Sequence, residues 1–194
     1  MTTRLFVVRH GRTALNAGGV LRGHLDVRLD DVGVSEAGRL GELFAHVPIA
    51  IVVTSPLARA RTTAQAIADA SGMCCAVDER LIDRDYGAFA GETPASIEER
   101  FGSLDAAPGV EPVDVMRARA IAVVDDLVRA MTDAAAVVVA HDAVNRVVLA
   151  ALVQDLDQPV VQPTGCWNEL REDDGTWRAV VVGATPGDGH EPGL

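Results

Sequence analysis

Two histidines, His10 and His141, each stand where a short apolar run ends. The imidazole side chain has an ordinary pKa of about 6.5, so near neutral pH it is largely uncharged and a ring nitrogen can act as a nucleophile. Arg9 precedes His10, and Arg59 lies shortly after another apolar run. Because a guanidinium donates forked hydrogen bonds that match phosphate oxygens, these residue types favour chemistry on a phosphorylated molecule.

The patterns along the chain predict the elements that would position these side chains. Short apolar runs that predict buried strands span residues 5–8, 49–53, 74–77 and 137–140. Helical patterns span residues 35–44, 57–70, 95–101, 113–131 and 145–153. Ser35 is the expected N-cap of the first helix, and residues 164–170 and 177–182 are expected to form a hairpin.

Strands that alternate with helices predict an α/β fold, a three-layer sandwich in which a mostly parallel central sheet has helices on both faces. Ligands of such sheets bind beyond the carboxyl ends of the strands. His10, residues 55–59 and His141 all lie just after predicted strand ends. We therefore expect three separate segments to bring polar side chains to the same edge of the sheet.

Length and composition restrict the classes of protein that fit. With 194 residues, the chain is expected to form a single domain over residues 1–185, followed by a Gly- and Pro-rich tail over residues 186–194 that we predict to be disordered. The formal net charge of −11 argues against a nucleic acid or an anionic membrane as the partner. The N-terminal apolar run is too short for a signal peptide or a membrane span, which predicts a cytoplasmic location.

The cysteines and histidines indicate no prosthetic group. Three cysteines cannot make a disulfide framework, and we expect them to be reduced, apolar residues. Neither residue type shows metal-ligand spacing, so we predict no metal and no cofactor. No heptad repeat stands out, and the sequence leaves the oligomeric state open.

The segment over residues 9–16, RHGRTALN, resembles the signature of the histidine phosphatase superfamily, the group that contains the cofactor-dependent phosphoglycerate mutases. Further landmarks follow in the family's order, over residues 23–33, 54–64, 81–91 and 139–146. The resemblance covers about residues 4 to 182 and is strongest to the small phosphatase branch. It implies a phosphoglycerate mutase-like α/β sandwich with the active site at the carboxyl edge of the sheet.

The resemblance also implies a role for the residues that match its motifs. His10 would attack phosphorus and carry the phosphoryl group as a phosphohistidine. Arg9, Arg59 and His141 would hold the phosphoryl oxygens. The implied substrate-binding residues are Asn16, Arg12, Thr13 and Gly23, and the glycine of the signature, Gly11, lets the backbone come close.

The leaving alkoxide needs a proton, which requires a carboxylic acid near the phosphoryl group. Asp83 stands where the family usually has Glu, one methylene longer, and the surrounding loop favours it as the acid. Asp142 stands where the small phosphatases usually have Gly, and an Asp after the second histidine is the proton donor in the acid phosphatase and phytase branch. Asp142 is therefore a rival acid and substrate contact, or else a helix N-cap.

Several loop residues stay open at this stage. Arg22 and His24 could line the entrance to the site or lie on the surface, and Glu111 stands where the family often has a pocket Glu, although its neighbours differ from the family's Gly-Glu-Ser triplet. Specificity is expected in the loop over residues 19–29 and in a lid over residues 87–114. Neither segment identifies the substrate.

Three functions compete. The favoured one is a phosphatase that hydrolyses a phosphomonoester of a small metabolite through His10. A mutase must keep its phosphohistidine away from water, and family mutases usually have more sequence before the second histidine, so the short lid here favours the phosphatase. A non-catalytic relative that binds a phosphorylated ligand would be expected to lack His10, His141 or an arginine, and none of them is missing.

Overall fold

The structure, a computed structural model, describes residues 3–131, 134–156 and 159–193. Its strands are β1 (Thr3–Arg9), β2 (Ile49–Thr54), β3 (Cys75–Val77), β4 (Ala135–Ala140), β5 (Trp167–Asp173) and β6 (Thr176–Ala184). They form one sheet in the order β3-β2-β4-β1-β5-β6. The first four strands in this order pair in parallel, whereas β5 and β6 pair antiparallel. The mostly parallel sheet and the hairpin are therefore as predicted.

The helices connect and cover these strands. They are α1 (Ala14–Ala17), α2 (Asp31–Phe44), α3 (Ala58–Ser71), α4 (Pro94–Phe101), α5 (Val113–Ala130) and α6 (Asp142–Leu152). Three short 3-10 helices span Glu79–Leu81, Gly87–Phe89 and Leu104–Ala106. Within residues 3–131, 134–156 and 159–193, every helix is too short or too polar to traverse a lipid bilayer.

The two faces of the sheet bury separate apolar cores, because successive strand residues point to opposite faces. Leu5 and Val7 of β1 pack in the core that α5 and α6 cover. Phe6 and Val8 pack in the core that α2 and α3 cover. This arrangement confirms the predicted three-layer α/β sandwich.

Two helices, α2 and α6, begin more than one residue before their predicted starts. The N-cap of α2 is Asp30, whose Oδ1 accepts a hydrogen bond from Gly33 N at 2.9 Å, so the expectation of Ser35 as N-cap was wrong. The first turn exposes Val32 and Val34, and these outward apolar side chains hide the helical period in the sequence.

The other helix is α6, which begins directly after His141. His141 occupies the N-cap position and Asp142 is the first helical residue, so the N-cap alternative for Asp142 was wrong. The pattern misses this first turn because Asp142 and Ala143 precede the buried stripe of the helix, which starts at Val144.

The predicted lid, residues 87–114, has a small apolar core of its own. Its members are Leu21, Tyr86, Phe89, Ile97 and Ala107. Leu21 belongs to the loop over residues 19–29, and its backbone bonds Glu92 O and Gly91 N, each at 2.8 Å. The two segments in which we expect specificity are therefore packed together.

The domain boundaries and the disordered tail stay predictions. Residues 1, 2, 132, 133, 157, 158 and 194, which those predictions include, lie outside the described residues.

Candidate active site

The carboxyl ends of three neighbouring strands bring the two histidines together. His10 follows β1, Ser55 follows β2 and His141 follows β4, which lies between the other two strands. Backbone bonds from His10 N to Ala140 O and from Ser55 N to Val139 O, each 3.1 Å, continue the sheet pairing to this edge. The two imidazole rings lie with their centroids 5.1 Å apart.

The surroundings of His10 determine which of its nitrogens can react. Its Nδ1 lies 2.6 Å from the carbonyl oxygen of Gly11. A carbonyl only accepts hydrogen bonds, so Nδ1 carries the proton and the lone pair is on Nε2. Burial, together with the positive charges of Arg59 and Arg9, holds the pKa of His10 well below its usual value. His10 is therefore a neutral imidazole with a free Nε2 lone pair.

His141 faces both a hydroxyl and a carboxylate. Its Nε2 lies 2.7 Å from Ser55 Oγ, and its Nδ1 lies 3.7 Å from Asp83 Oδ2. Burial, followed by the charge of Arg59 and by His10, lowers the pKa of His141 well below its usual value. His141 therefore lies next to His10, between a hydroxyl and a carboxylate.

Two of the predicted arginines extend into the same buried region. Arg59 is fully buried and donates from Nη1 to Leu25 O at 2.8 Å, and from Nη2 to Gly23 O at 2.9 Å and Asp83 Oδ2 at 3.0 Å. Arg9 is also buried, and its Nη1 donates to Gln162 O. Gly23 therefore orients Arg59 through its carbonyl, and its φ of +49° is one that favours glycine.

Arg22 is a member of this cluster that the sequence left undecided. Its Nη1 donates to Val20 O at 3.1 Å. Its charge lowers the pKa of both His10 and His141, and its buried Nε has no hydrogen-bond partner. The position directly before Gly23, within a landmark segment, is the signal that could have selected it. Because the chain contains 17 arginines, one arginine in a loop does not stand out in the sequence.

The other predicted binding residues have local partners. The Arg12 side chain pairs with Asp30, with Nε 2.9 Å from Oδ2, and is 39% exposed. Thr13 and Asn16 cap α1 reciprocally, with Thr13 N donating to Asn16 Oδ1 at 3.0 Å and Asn16 N donating to Thr13 Oγ1 at 3.3 Å. The substrate contacts of these three residues stay predictions.

The two candidate acids have different environments. Asp83 is 2% exposed, and its Oδ1 accepts a bond from Arg84 N at 2.9 Å while its Oδ2 accepts from Arg59. Burial raises the pKa of Asp83, and the charges of Arg59 and Arg22 oppose this rise. Asp142 has a side chain 34% exposed and pairs with Arg146 one turn along α6, at 2.6 Å. Of the two candidates, Asp83 lies beside His141, and the identity of the proton donor stays a prediction.

The cluster contains an unusual number of unpaired polar atoms. Six buried side-chain nitrogens in the described residues lack a hydrogen-bond partner, and five of them belong to Arg9, His10, Arg22, Arg59 and His141. Buried polar atoms are normally bonded, so the unpaired Nε–H groups of the three arginines could donate to a buried ligand that accepts hydrogen bonds. Three guanidiniums favour an anion. No group of three His, Cys, Asp or Glu in the part of the chain that the structure describes could hold a metal ion.

Comparisons with known proteins agree with this geometry. Residues 5–185 match the family "Histidine phosphatase superfamily (branch 1)". A glucosyl-3-phosphoglycerate phosphatase of Mycolicibacterium vanbaalenii is 37% identical over 55% of this chain and 44% of that protein. A 2,3-bisphosphoglycerate-dependent phosphoglycerate mutase of Nocardia farcinica is 40% identical over 53% of this chain and 44% of that protein.

These alignments span less than half the length of either curated relative. The likeness in structure is more extensive. A mycobacterial glucosyl-3-phosphoglycerate phosphatase superposes with a TM-score of 0.86 at 26% identity, over 95% of this chain and all of that one. The chain belongs to branch 1 of the histidine phosphatase superfamily.

Proposed function

We propose that the chain is a phosphatase that hydrolyses a small-molecule phosphomonoester through a phosphohistidine on His10. The observation that carries this proposal is the free lone pair on His10 Nε2, which results from the bond between Nδ1 and Gly11 O, together with the buried, unpaired Nε atoms of the arginines whose charges act on His10. An uncharged imidazole among cations attacks phosphorus, whereas a protonated one cannot.

Arginine and histidine side chains hold the phosphoryl group in this proposal. Arg9, Arg22, Arg59 and His141 donate to its oxygens, joined by the predicted contacts of Asn16. A hydrogen bond to a charged group contributes about 1.5–3 kcal/mol. Because the transition state of phosphoryl transfer is loose, positioning and charge neutralisation supply most of the catalysis.

The reaction has two steps. In the first, His10 Nε2 bonds to phosphorus while the ester P–O bond breaks, and the leaving alkoxide takes the proton of the Asp83 carboxyl. In the second, water attacks phosphorus, gives a proton to the Asp83 carboxylate, and the P–N bond breaks to return its electron pair to His10. The raised pKa of the buried Asp83 supports this role, since a general acid must hold its proton near neutral pH.

The runner-up is a mutase, which returns the phosphoryl group to a bound substrate. The 40% identity to a phosphoglycerate mutase supports it, and the short lid of this chain supports the phosphatase. The two candidates differ in their product. Release of inorganic phosphate from glucosyl-3-phosphoglycerate, the substrate in the names of two relatives, or from 3-phosphoglycerate indicates the phosphatase. Interconversion of 2- and 3-phosphoglycerate without release indicates the mutase.

The experiment that tests the chemistry uses alkyl phosphates and an aryl phosphate with a good leaving group. The enzymes compared are wild type, His10→Ala, Asp83→Asn and Asp142→Asn. We expect His10→Ala to be inactive and Asp83→Asn to lose alkyl turnover while keeping most aryl turnover, because an aryl oxide leaves without a proton. Asp142→Asn is the matched control and should behave as wild type.

Two results would overturn the proposal. If wild type releases no phosphate from any ester, or if His10→Ala remains active, the protein is not a phosphatase that acts through His10. If Asp142→Asn and not Asp83→Asn shows selective loss of alkyl turnover, the acid is Asp142.

A further inference from the structure

Arg119 lies outside the histidine cluster, on α5, yet all five of its N–H groups are bonded around the loop that carries Asp83. Nη1 donates to Arg80 O at 2.7 Å and to Ile82 O at 2.6 Å. Nη2 donates to Asp83 O at 3.0 Å. The remaining bonds, from Nε and Nη2, reach the two carboxylate oxygens of Glu111 at 2.8 Å each. A guanidinium has five N–H donors, so Arg119 has no further donor for a substrate.

Glu111 continues this attachment to the next residues of the loop. Its Oε2 also accepts from Asp85 N at 3.2 Å, and its backbone N donates to Asp85 O at 2.8 Å. Its carbonyl accepts from Arg84 Nε at 2.9 Å. The hydrogen bonds to Arg119 and Asp85 N, and the Arg119 charge, outweigh burial and hold the pKa of Glu111 below its usual value. The pair of Arg119 and Glu111 therefore holds the main chain over residues 80–85.

We propose that Arg119 and Glu111 form a positioning pair that places the carboxyl of Asp83 for proton donation; this inference rests on the proposed phosphatase function. Asp83 carries one methylene fewer than the Glu usual at its position. A shorter side chain has fewer torsions with which to reach the leaving oxygen, so the position of its carboxyl depends more on its own backbone. Arg119 holds that backbone at Asp83 O, and Arg84 N bonds the Asp83 carboxyl itself.

This role has a kinetic signature that a purely structural ion pair would not have. Arg119 bonds Glu111 and main-chain carbonyls, while the phosphate-holding groups belong to other segments. Weakening the Arg119 bonds should therefore impair proton donation. Arg59 also bonds Asp83 Oδ2, but its separate bonds to Leu25 O and Gly23 O should keep it in place and preserve phosphate binding. A displacement of about 1 Å at a catalytic group costs up to about 100-fold in rate. We expect Arg119→Lys, which keeps the charge and loses the fork, to lower kcat on alkyl phosphates by roughly 10- to 100-fold.

On the aryl phosphate, kcat of Arg119→Lys should stay within about 3-fold of wild type, because that leaving group needs no proton. KM should change little for either ester. Arg117→Lys is the matched control, since Arg117 lies on the same helix, pairs with Asp114 at 2.7 Å and is 48% exposed. It should leave both rates unchanged.

A double mutant separates positioning of Asp83 from any other effect. In an Asp83→Asn background, the proton donor is already lost, so adding Arg119→Lys should cost no further alkyl turnover. Glu111→Gln should show the same selective loss as Arg119→Lys, to a smaller extent, and serves as the test variant if Arg119→Lys does not fold.

Three outcomes would overturn the inference while the phosphatase assignment stands. They are an equal loss of alkyl and aryl turnover in Arg119→Lys or Glu111→Gln, no loss in either variant, and a full additional loss in the Asp83→Asn background. The proposed function fails separately, if wild type hydrolyses no ester or His10→Ala is active.

Discussion

Replacing Gly11 by alanine should damage both folding and catalysis, because there is no room for a methyl group. A Cβ at position 11 would lie 2.4 Å from Gly33 O and 3.0 Å from Gly33 C. Both are backbone atoms in the first turn of α2, where Asp30 already bonds Gly33 N. Since non-bonded heavy atoms pack at about 3.5 Å or more, the two segments must separate by about 1 Å.

The separation has two consequences. Overpacking of a tight interior contact costs about 1–3 kcal/mol of the free energy of unfolding. The carbonyl of Gly11 also holds His10 Nδ1, so moving it turns the imidazole away from its line of attack. A displacement of about 1 Å can cost about 100-fold in rate, and we expect kcat to fall by roughly that factor.

Urea unfolding and steady-state hydrolysis of an aryl phosphate measure the two effects. Gly38→Ala is the matched control, because Gly38 lies within α2 and a Cβ there meets nothing within 4 Å. That change should raise the free energy of unfolding by about 0.5–1 kcal/mol, since alanine favours a helix, and leave kcat unchanged. A Gly11→Ala protein as stable and as active as wild type would refute the reasoning. Lost stability with unchanged kcat would show that the Gly11 carbonyl does not orient His10.

The remaining predictions concern charge. Arg22→Met should raise the inhibition constant for inorganic phosphate by roughly 10- to 100-fold, which corresponds to the loss of one charged hydrogen bond. Arg12→Met should change this constant little, because Arg12 pairs with Asp30. Equal effects of the two substitutions would contradict this prediction. Phosphate at about 100 times its dissociation constant should raise the free energy of unfolding of the wild type by about 2.7 kcal/mol, as measured by thermal or urea unfolding. At the same phosphate concentration, the increase should be smaller in Arg22→Met. The pKa values of His10 and His141 are lowered in the folded chain. Below about pH 6.5 these two histidines therefore take up protons in the unfolded chain but not in the folded one. Each should lower the free energy of unfolding by up to about 1.4 kcal/mol per pH unit as the pH falls. Asp83, whose pKa is raised, contributes with the opposite sign below its folded-state pKa, so the test compares wild type with His141→Asn. The measured quantity is the difference in the free energy of unfolding between pH 7.5 and pH 5.5, and we expect this difference to be smaller in the variant. An unchanged difference would show that His141 titrates normally.

Local pattern was sufficient for much of the fold. Apolar runs and helical periods predict the strands and helices. A helix that is buried on one face has apolar residues at a regular spacing, and a strand that is buried on both faces is apolar throughout. The start of α2 was mispredicted, since Val32 and Val34 are exposed and an outward valine looks like a buried one in a sequence. The N-cap of α6 was mispredicted because the first turn of a helix has little apolar signal.

The sequence by itself also indicated which strand ends meet at one edge of the sheet. A strand end is recognisable locally, and the carboxyl edge of a parallel sheet collects strand ends, so His10 and His141 could be paired before their distance was known. The tertiary structure decided which charges meet. It buried Asp83 beside Arg59, directed Arg12 to Asp30, and placed Arg119 against the loop that carries Asp83. The physical reason is that a long side chain takes its partner from whatever packing brings within about 3 Å, and this depends on segments far apart in sequence.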